Sequence, residues 1–170
     1  MPHNVEIKAV ASDFERQKQI AESLSDEPAK QIEQEDIFYH TPHGRLKLRI
    51  VSPDYGELIY YEREDACGPK PSHYLVYKIE SPAVLNSLLS SALDVRGVVR
   101  KKRILYLAGQ TRIHLDEVEE LGSFIELEVV MQAGQSIDAG RQIAVDLMTR
   151  LGIRDEDLIH NAYIDLLTKE

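Results

Sequence analysis

The sequence has few of the features that mark secreted, membrane or nucleic-acid-binding proteins. Its single cysteine, Cys67, excludes an internal disulfide and any zinc site built from several cysteines. No apolar run approaches the roughly 20 residues of a membrane span, and the start, MPHNVEIKAV, lacks a basic segment followed by an apolar one. With 20 basic and 29 acidic residues, the net charge of −9 argues against nonspecific binding to nucleic acid or anionic membranes. We therefore expect a cytoplasmic protein with neither of these partners.

The chain does have an ordinary globular composition, with 43% hydrophobic and 29% charged residues over 170 positions. This length favours a single domain, residues 1–170, with a sizeable core. Alternating polar and apolar residues predict strands at Asn4–Ala11, Gln31–His40, Arg45–Ser52, Glu57–Glu64, Ser72–Ile79, Val95–Leu107 and the two runs of Thr111–Val130. The alternation is poorer in Gln31–His40, and its residues are assigned no role. Helices are predicted from a capping box at Ser12 and Glu15 to Leu24, from Ser81 to Leu93, over Ser136–Leu151 and over Leu158–Lys169.

The clearest pattern lies in Thr111–Val130, where two alternating runs flank a turn-like segment that contains Gly122. Side chains two residues apart in a strand share a face. Paired as an antiparallel hairpin, the runs place on one surface Arg112, His114, Asp116, Glu126 and Glu128. Three carboxylates and a cation at such close quarters suggest a site for a divalent metal and phosphate. Because a half-solvated strand shows the same alternation, this hairpin alone leaves both interpretations open.

Other predicted strands repeat the pattern with cations. The run Arg45–Ser52 alternates three basic residues with leucine and isoleucine, and such cations repel one another unless solvent or an anion separates them. Collected over all strands, the cations are Lys8, Arg45, Lys47, Arg49, Arg63, Lys101, Arg103 and Arg112. The carboxylates at strand positions are Glu6, Asp116, Glu126 and Glu128.

About eight antiparallel strands can close into a barrel that holds side chains or a small ligand. If the charged faces pointed inward, helices would have to cover the aliphatic faces, and the buried charge would need a highly charged ligand and a metal. A triphosphate with Mg²⁺ or Mn²⁺ meets that need, because basic side chains bind phosphoryl oxygens and carboxylates bind hard cations. We therefore predict an α+β fold, an eight-stranded antiparallel barrel with a charged interior, flanked by amphipathic helices.

Five stretches carry a family resemblance. The first, NVEIK at Asn4–Lys8, is similar to the E-x-E-x-K signature of the CYTH family, the triphosphate tunnel metalloenzymes. Pro42–Arg49, Val98–Arg103 and Thr111–Glu128 resemble the class IV adenylyl cyclase-like branch of that family. The tail NAYIDLL, at Asn161–Leu167, resembles its closing S-Y-x-D-L-L. The resemblance spans nearly the whole chain, in order.

The resemblance implies an eight-stranded tunnel that binds a triphosphate with a divalent metal. By position, it implies metal-side carboxylates at Glu6, Asp116, Glu126 and Glu128. It implies phosphate-binding residues at Lys8, Lys47, Arg49, Arg63, Lys101, Arg103 and Arg112, to which the strand pattern adds Arg45. His114 is either a proton shuttle or a hydrogen-bonded residue of the tunnel wall. Two positions depart from the family pattern, since Asn4 replaces the first glutamate and Ala162 stands where serine is common.

We expect a metal-dependent enzyme that acts on a triphosphate-containing small molecule, in an adenylyl cyclase-like conversion of ATP to cyclic AMP and pyrophosphate. The alternatives are hydrolysis of tripolyphosphate or thiamine triphosphate, and a polyphosphate- or nucleotide-binding module without turnover, which the Asn4 departure favours. The sequence assigns no catalytic residue and contains no nucleobase motif, while Tyr61 and Tyr74 either stack on a base or pack. Cys67 is assigned no chemistry, and a homodimer is an open alternative.

Overall fold

The computed structural model describes residues 3–63 and 68–168. Its strands are β1 (His3–Val10), β2 (Lys30–Tyr39), β3 (Arg45–Ser52), β4 (Tyr55–Arg63), β5 (Lys70–Ile79), β6 (Val95–Ala108), β7 (Thr111–Val118) and β8 (Gly122–Val130). The α-helices are α1 (Phe14–Leu24), α2 (Pro82–Leu93), α3 (Ile137–Leu151) and α4 (Tyr163–Thr168), and a 3₁₀ turn covers Asp155–Asp157. The strands close into an antiparallel barrel in the order β1-β5-β4-β3-β2-β6-β7-β8, which confirms the predicted α+β barrel. Cys67 and Glu64 lie outside the described residues.

The aliphatic faces of β1, β7 and β8 form the outside of the barrel. Val5, Ile113 and Leu127 are fully buried there, beneath Ala144 and Leu151 of α3. Full burial of an aliphatic side chain stabilises the fold by about 1.5–3 kcal/mol. Successive side chains of a strand point to opposite faces. Since the aliphatic side chains face outward and are covered by the helices, the charged side chains between them point into the barrel. This is the inward arrangement that the sequence predicts.

The second helix covers another part of the barrel. Leu85 of α2 packs against the cluster of Ile37, Tyr39 and Leu48 on β2 and β3. The Tyr39 hydroxyl donates a hydrogen bond of 2.8 Å to the Asn86 side-chain oxygen, so the buried phenol has a partner. In the described part of the chain, every helix is too short or too polar to cross a membrane.

Two of the predicted helix starts can be compared with their caps. The cap of α1 is Asp13, so the predicted capping box of Ser12 and Glu15 is wrong by one residue. Aspartate and serine are similarly good N-caps, and the local sequence does not separate them. The third helix, predicted over Ser136–Leu151, starts at Ile137 with Ser136 as its N-cap. It ends at Leu151 and is followed by Gly152, whose φ of 68° is the left-handed conformation that favours glycine at this position.

The helix predicted over Leu158–Lys169 starts later, at Tyr163. The residues before it run beside β1, and the Ile159 N–H donates a hydrogen bond of 2.8 Å to the Lys8 carbonyl. Among the described residues, β1 pairs with β5 only as far as Glu6. The segment therefore occupies a strand edge that β5 leaves open, and this tertiary pairing overrides the helical pattern.

Candidate functional site

Inward-pointing side chains enclose a tunnel with a free volume of about 150 Å³. Strand pairing brings them together, as where Lys8 lies opposite Glu126 and Glu126 lies opposite His114. The predicted site residues that line the tunnel are Glu6, Lys8, Lys47, Arg49, Arg63, Lys101, Arg103, Arg112, Glu126 and Glu128. His114 and Asp116 are buried beside this lining.

Three carboxylates of β1 and β8, Glu6, Glu126 and Glu128, form what we call the acidic wall. His114 Nδ1 lies 3.8 Å from Glu126 Oε2 and 3.9 Å from Glu128 Oε1, which is too far for hydrogen bonds. This buried nitrogen has no hydrogen-bond partner among the described residues. One ligand atom from each of His114, Glu126 and Glu128 lies within 4.8 Å of the others.

The electrostatics of the acidic wall fit a divalent cation. Burial and the neighbouring Glu128 raise the pKa of Glu6. Burial also opposes ionisation of Glu126, but Lys8 and Arg103 outweigh it and hold the pKa of that carboxyl well below its usual value. Crowded carboxylates beside a partnerless imidazole nitrogen are a donor set suited to a divalent cation. The residues present therefore fit the expected metal.

Asp116 binds Arg103 and Tyr163, neither of which belongs to the acidic wall. It is fully buried and binds Arg103 through two hydrogen bonds of 2.7 Å, from Nε and Nη2. The Tyr163 hydroxyl donates a third, of 2.9 Å. Burial opposes ionisation of Asp116, yet Arg103 lowers its pKa overall. With both oxygens engaged in this way, Asp116 is placed to orient Arg103 and Tyr163.

Three cations, Lys47, Arg49 and Lys101, surround Asp36 and form what we call the basic cradle. Asp36 Oδ2 lies 3.1 Å from Lys47 Nζ and 3.6 Å from Lys101 Nζ. Arg49 donates to both carboxylate oxygens, at 2.9 Å and 3.0 Å. All three cations are sequence-predicted site residues, whereas Asp36 was assigned no role because its strand alternates poorly.

Two further predicted cations contact the acidic wall. Lys8 Nζ lies 3.5 Å from Glu126 Oε1, and Arg63 Nη1 lies 3.5 Å from Glu6 Oε2. Lys8 Nζ also lies 3.9 Å from the centroid of the Tyr163 ring. Burial lowers the pKa of Lys8 to about 7. The charge of this lysine therefore depends on the anions around it.

The remaining predicted phosphate ligands lie towards opposite ends of the barrel. Arg45, at the first residue of β3, binds Asp165 of α4 at 2.7 Å and is not part of the tunnel lining. Arg112 lines the tunnel, 3.8 Å from Glu128, but its side chain is 50% exposed. The structure thus separates Arg45 from the cradle and puts Arg112 at the solvent side of the site.

The short helix α4 covers one end of the barrel. The Tyr163 ring lies 5.0 Å from that of Phe124, and the pair belongs to a buried cluster with Phe38 and Val99 from the barrel interior. On β6, Gly97 allows the close approach, since a Cβ there would lie 2.5 Å from the Ile164 side chain. This cover overlaps the tail motif Asn161–Leu167, and the sequence alone does not predict that it closes the tunnel.

Two arginines anchor α4 through Asp165, and the loss of these contacts should destabilise the fold. Asp165 accepts hydrogen bonds from Arg45 at 2.7 Å and from Arg96 at 2.6 Å. Burial opposes ionisation of Asp165, but Arg45, the Ala162 N–H and Arg96 outweigh it and lower its pKa. We expect Asp165→Asn to reduce the free energy of unfolding by about 1–3 kcal/mol near neutral pH, as measured by urea denaturation.

The pH dependence provides the check. A lowered folded-state pKa contributes stability above the unfolded carboxyl pKa of about 3.9, and this contribution is lost as pH falls through the folded value. The difference between wild type and Asp165→Asn should therefore shrink in acid. A difference that is constant between neutral and acidic pH would contradict a role for the ionised carboxylate.

Comparison with known proteins agrees with this architecture. The CYTH domain model matches residues 2–163. The PH1012 protein of Pyrococcus horikoshii OT3 is 27% identical, with a TM-score of 0.82 over 96% of this chain and 98% of that one. A candidate adenylate cyclase from Vibrio parahaemolyticus is 19% identical, with a TM-score of 0.80 and 97% of each chain covered. HpAC1 of Hippeastrum, a candidate adenylyl cyclase described as having a dominant triphosphatase activity, is 14% identical, with a TM-score of 0.66 over 99% of this chain and 96% of that one.

Among curated protein sequences, none matches this chain significantly. At their low identities, the last two structural similarities concern the fold alone. The domain match, in contrast, extends over nearly the whole chain and includes every strand of the barrel. This chain belongs to the CYTH domain family.

Proposed function

We propose that this protein is a divalent-metal-dependent triphosphatase that hydrolyses tripolyphosphate or a small organic triphosphate. The proposal rests on one observation, that the acidic wall and the basic cradle line the same narrow tunnel. Its free volume is about 150 Å³, whereas pockets for drug-sized ligands usually begin near roughly 300 Å³. A phosphate chain fits such a space better than a nucleoside does.

The packing of Tyr61, one of the two tyrosines considered for base stacking, also favours hydrolysis. Tyr61 packs against the buried cluster that contains Phe38 and Tyr163, and burial raises its pKa. Tyr74 lies opposite Tyr61 on the neighbouring strand and lines the tunnel. A tyrosine that is already part of the core presents less ring surface to a nucleobase. This packing supports a substrate recognised through its phosphates.

In the proposed reaction, water attacks the terminal phosphorus, its bond to the bridging oxygen breaks, and orthophosphate and the shortened chain form. The cradle cations and Arg103 would bind the non-bridging oxygens, where negative charge must be stabilised. The acidic wall with His114 would hold Mg²⁺ or Mn²⁺. Such a cation, when bound, supplies Lewis acidity and positive charge close to the phosphates. Burial lowers the pKa of His114, so the neutral imidazole would be present to bind it.

Adenylyl cyclisation is the second candidate, and the long hairpin motif at Thr111–Glu128 favours it. In that reaction the ribose 3′-hydroxyl attacks the first phosphorus of ATP, and pyrophosphate leaves. The cradle and the acidic wall would bind the triphosphate in the same way. The two reactions differ in the nucleophile.

We expect the protein to release orthophosphate with Mg²⁺ or Mn²⁺, and fastest from a substrate that lacks adenosine. The test incubates it with tripolyphosphate, thiamine triphosphate or ATP, and separates the products chromatographically. Chelation of the metal should stop the reaction, because the crowded carboxylates would then lose their counter-charge. Cyclic AMP and pyrophosphate from ATP would instead establish a cyclase. Thermal stabilisation by triphosphate without turnover would indicate a binding module.

A further inference from the structure

Asp36 is a carboxylate placed where the proposed substrate needs cations. Its side chain is 2% exposed, and it lines the tunnel among the three cations of the basic cradle. Those cations come from two strands on either side of β2, with Lys47 and Arg49 on β3 and Lys101 on β6. An anion at this point competes with phosphate, so its presence requires a physical reason.

The hydrogen-bond geometry leaves donors available for a ligand. Arg49 uses Nε and Nη2 for Asp36, which leaves Nη1 for another acceptor. Lys47 donates one of its three ammonium hydrogens to Asp36, at 3.1 Å. Lys101 Nζ, 3.6 Å from Asp36 Oδ2, is an ion-pair partner beyond hydrogen-bond distance. Three positive charges and one negative charge leave the cradle with two positive charges towards the tunnel.

Without Asp36, the cradle would be an unfavourable arrangement. Lys47 and Arg49 lie two residues apart on the same strand face, and their side chains are only 13% and 15% exposed. Burial and Arg103 lower the pKa of Lys101 to about 8, while Asp36 acts in the opposite direction. Buried cations without an anion would separate or lose protons. Asp36 supplies the missing negative charge before any substrate arrives.

We propose that Asp36 is a positioning residue, an internal anion that holds the three cradle cations in place for the phosphates. This inference rests on the proposed triphosphatase function. The carboxylate fixes the donors in the empty tunnel, so that binding does not have to order them. In this role Asp36 would act through the cradle cations and not on the reacting atoms.

The first test is Asp36→Asn, which keeps the shape of the side chain and removes its charge. We expect kcat for tripolyphosphate hydrolysis to fall by about 10–100-fold, as for other residues that orient ligand-binding groups. If Asp36 only repelled substrate, the variant would instead show a lower KM and an unchanged kcat. A kcat within about twofold of wild type would overturn the proposal.

The control is Asp157→Asn. Asp157 is also buried and also accepts two hydrogen bonds from one guanidinium, that of Arg154, at 3.2 Å and 3.1 Å. This pair lies at the 3₁₀ turn, outside the tunnel lining. We expect kcat of Asp157→Asn to be unchanged, even if its melting temperature falls. A general effect of losing a buried carboxylate would appear in both variants.

A second measurement does not depend on turnover. In metal-free buffer, tripolyphosphate should raise the melting temperature of Asp36→Asn by less than that of wild type, because binding to the variant must first order the cradle cations. A larger increase in the variant would indicate instead that Asp36 only repels the anion. Equal increases would overturn the positioning role. If wild type is stabilised but hydrolyses none of the triphosphates, the proposed function fails while this comparison still decides the role of Asp36.

Discussion

Glu126→Gln should lower kcat for triphosphate hydrolysis by roughly 10²–10³-fold, the loss typical of removing one preorganised electrostatic group. Glu126 lies at the centre of the site, 3.5 Å from Lys8 Nζ, 3.4 Å from Arg103 Nη2 and 3.8 Å from His114 Nδ1. Its lowered pKa keeps it ionised at neutral pH. Glutamine preserves the volume but removes the charge that a divalent cation needs.

Glu117→Gln is the matched control, because Glu117 points outward from β7 and is exposed. We expect its kcat to equal that of wild type. Titration with Mn²⁺, followed calorimetrically, should show weaker binding for Glu126→Gln alone. Full activity with unchanged Mn²⁺ affinity in Glu126→Gln would remove the acidic wall from the reaction centre.

The largest expected loss of stability comes from Arg103→Met. Arg103 is 4% exposed and its partner Asp116 is fully buried. The substitution leaves this carboxylate with the Tyr163 hydroxyl but without its guanidinium. Removing one member of a buried ion pair typically lowers the free energy of unfolding by about 3–5 kcal/mol. Urea denaturation of the two proteins measures the difference.

Two further variants distinguish the destabilisation caused by the unpaired buried charge from that caused by lost packing. Arg100→Met changes the same residue type on the same strand, but Arg100 is 57% exposed and pairs with Glu35 at the surface. Such a pair contributes at most about 1 kcal/mol. Adding Asp116→Asn to Arg103→Met removes the unpaired buried charge of Asp116 and should recover part of the free energy of unfolding. Equal losses in Arg100→Met and Arg103→Met, with no recovery in the double variant, would contradict this explanation.

Strand parity explains why most of the tunnel lining can be predicted from the sequence. Lys47 and Arg49, like Glu126 and Glu128, alternate with aliphatic residues that only a helix-covered surface can bury. A register shift of one residue would move every charge of a strand to the wrong face. The alternation therefore carries enough information to place these side chains together before any long-range contact is known.

Asp36 shows why part of the site could not be predicted in this way. Its strand has polar residues on both faces, because Glu33 on the outer face is exposed. The alternation is then weak, and polarity no longer identifies the inward side. Counting residues from the turn at Thr41–Gly44 would have paired Asp36 with Arg49, as the register shows. Such counting requires the assumption that β2 and β3 form a hairpin, which the sequence alone does not establish.

Arg45 illustrates a second reason why part of the site could not be predicted from the sequence. Parity places it on the face of Lys47 and Arg49, and the sequence therefore includes it among the phosphate ligands. Its partner, Asp165, is 120 residues away on a helix whose docking no local pattern encodes. Position along a strand matters as well as parity, since the first residue of β3 reaches the covered end of the barrel.

Barrel closure also governs the order of events during synthesis. Among the described residues, β1 pairs over a longer stretch with β8 than with β5, and the register with β8 joins Glu6 to Glu128. At ribosomal rates of about 5–20 residues per second, β1 waits roughly 6–25 s for that partner. An unpaired strand is a hazard for aggregation, and charged side chains are a usual protection of such edges. We therefore expect Glu6 and Lys8 to hinder pairing of the nascent β1 with other chains before they become part of the finished tunnel.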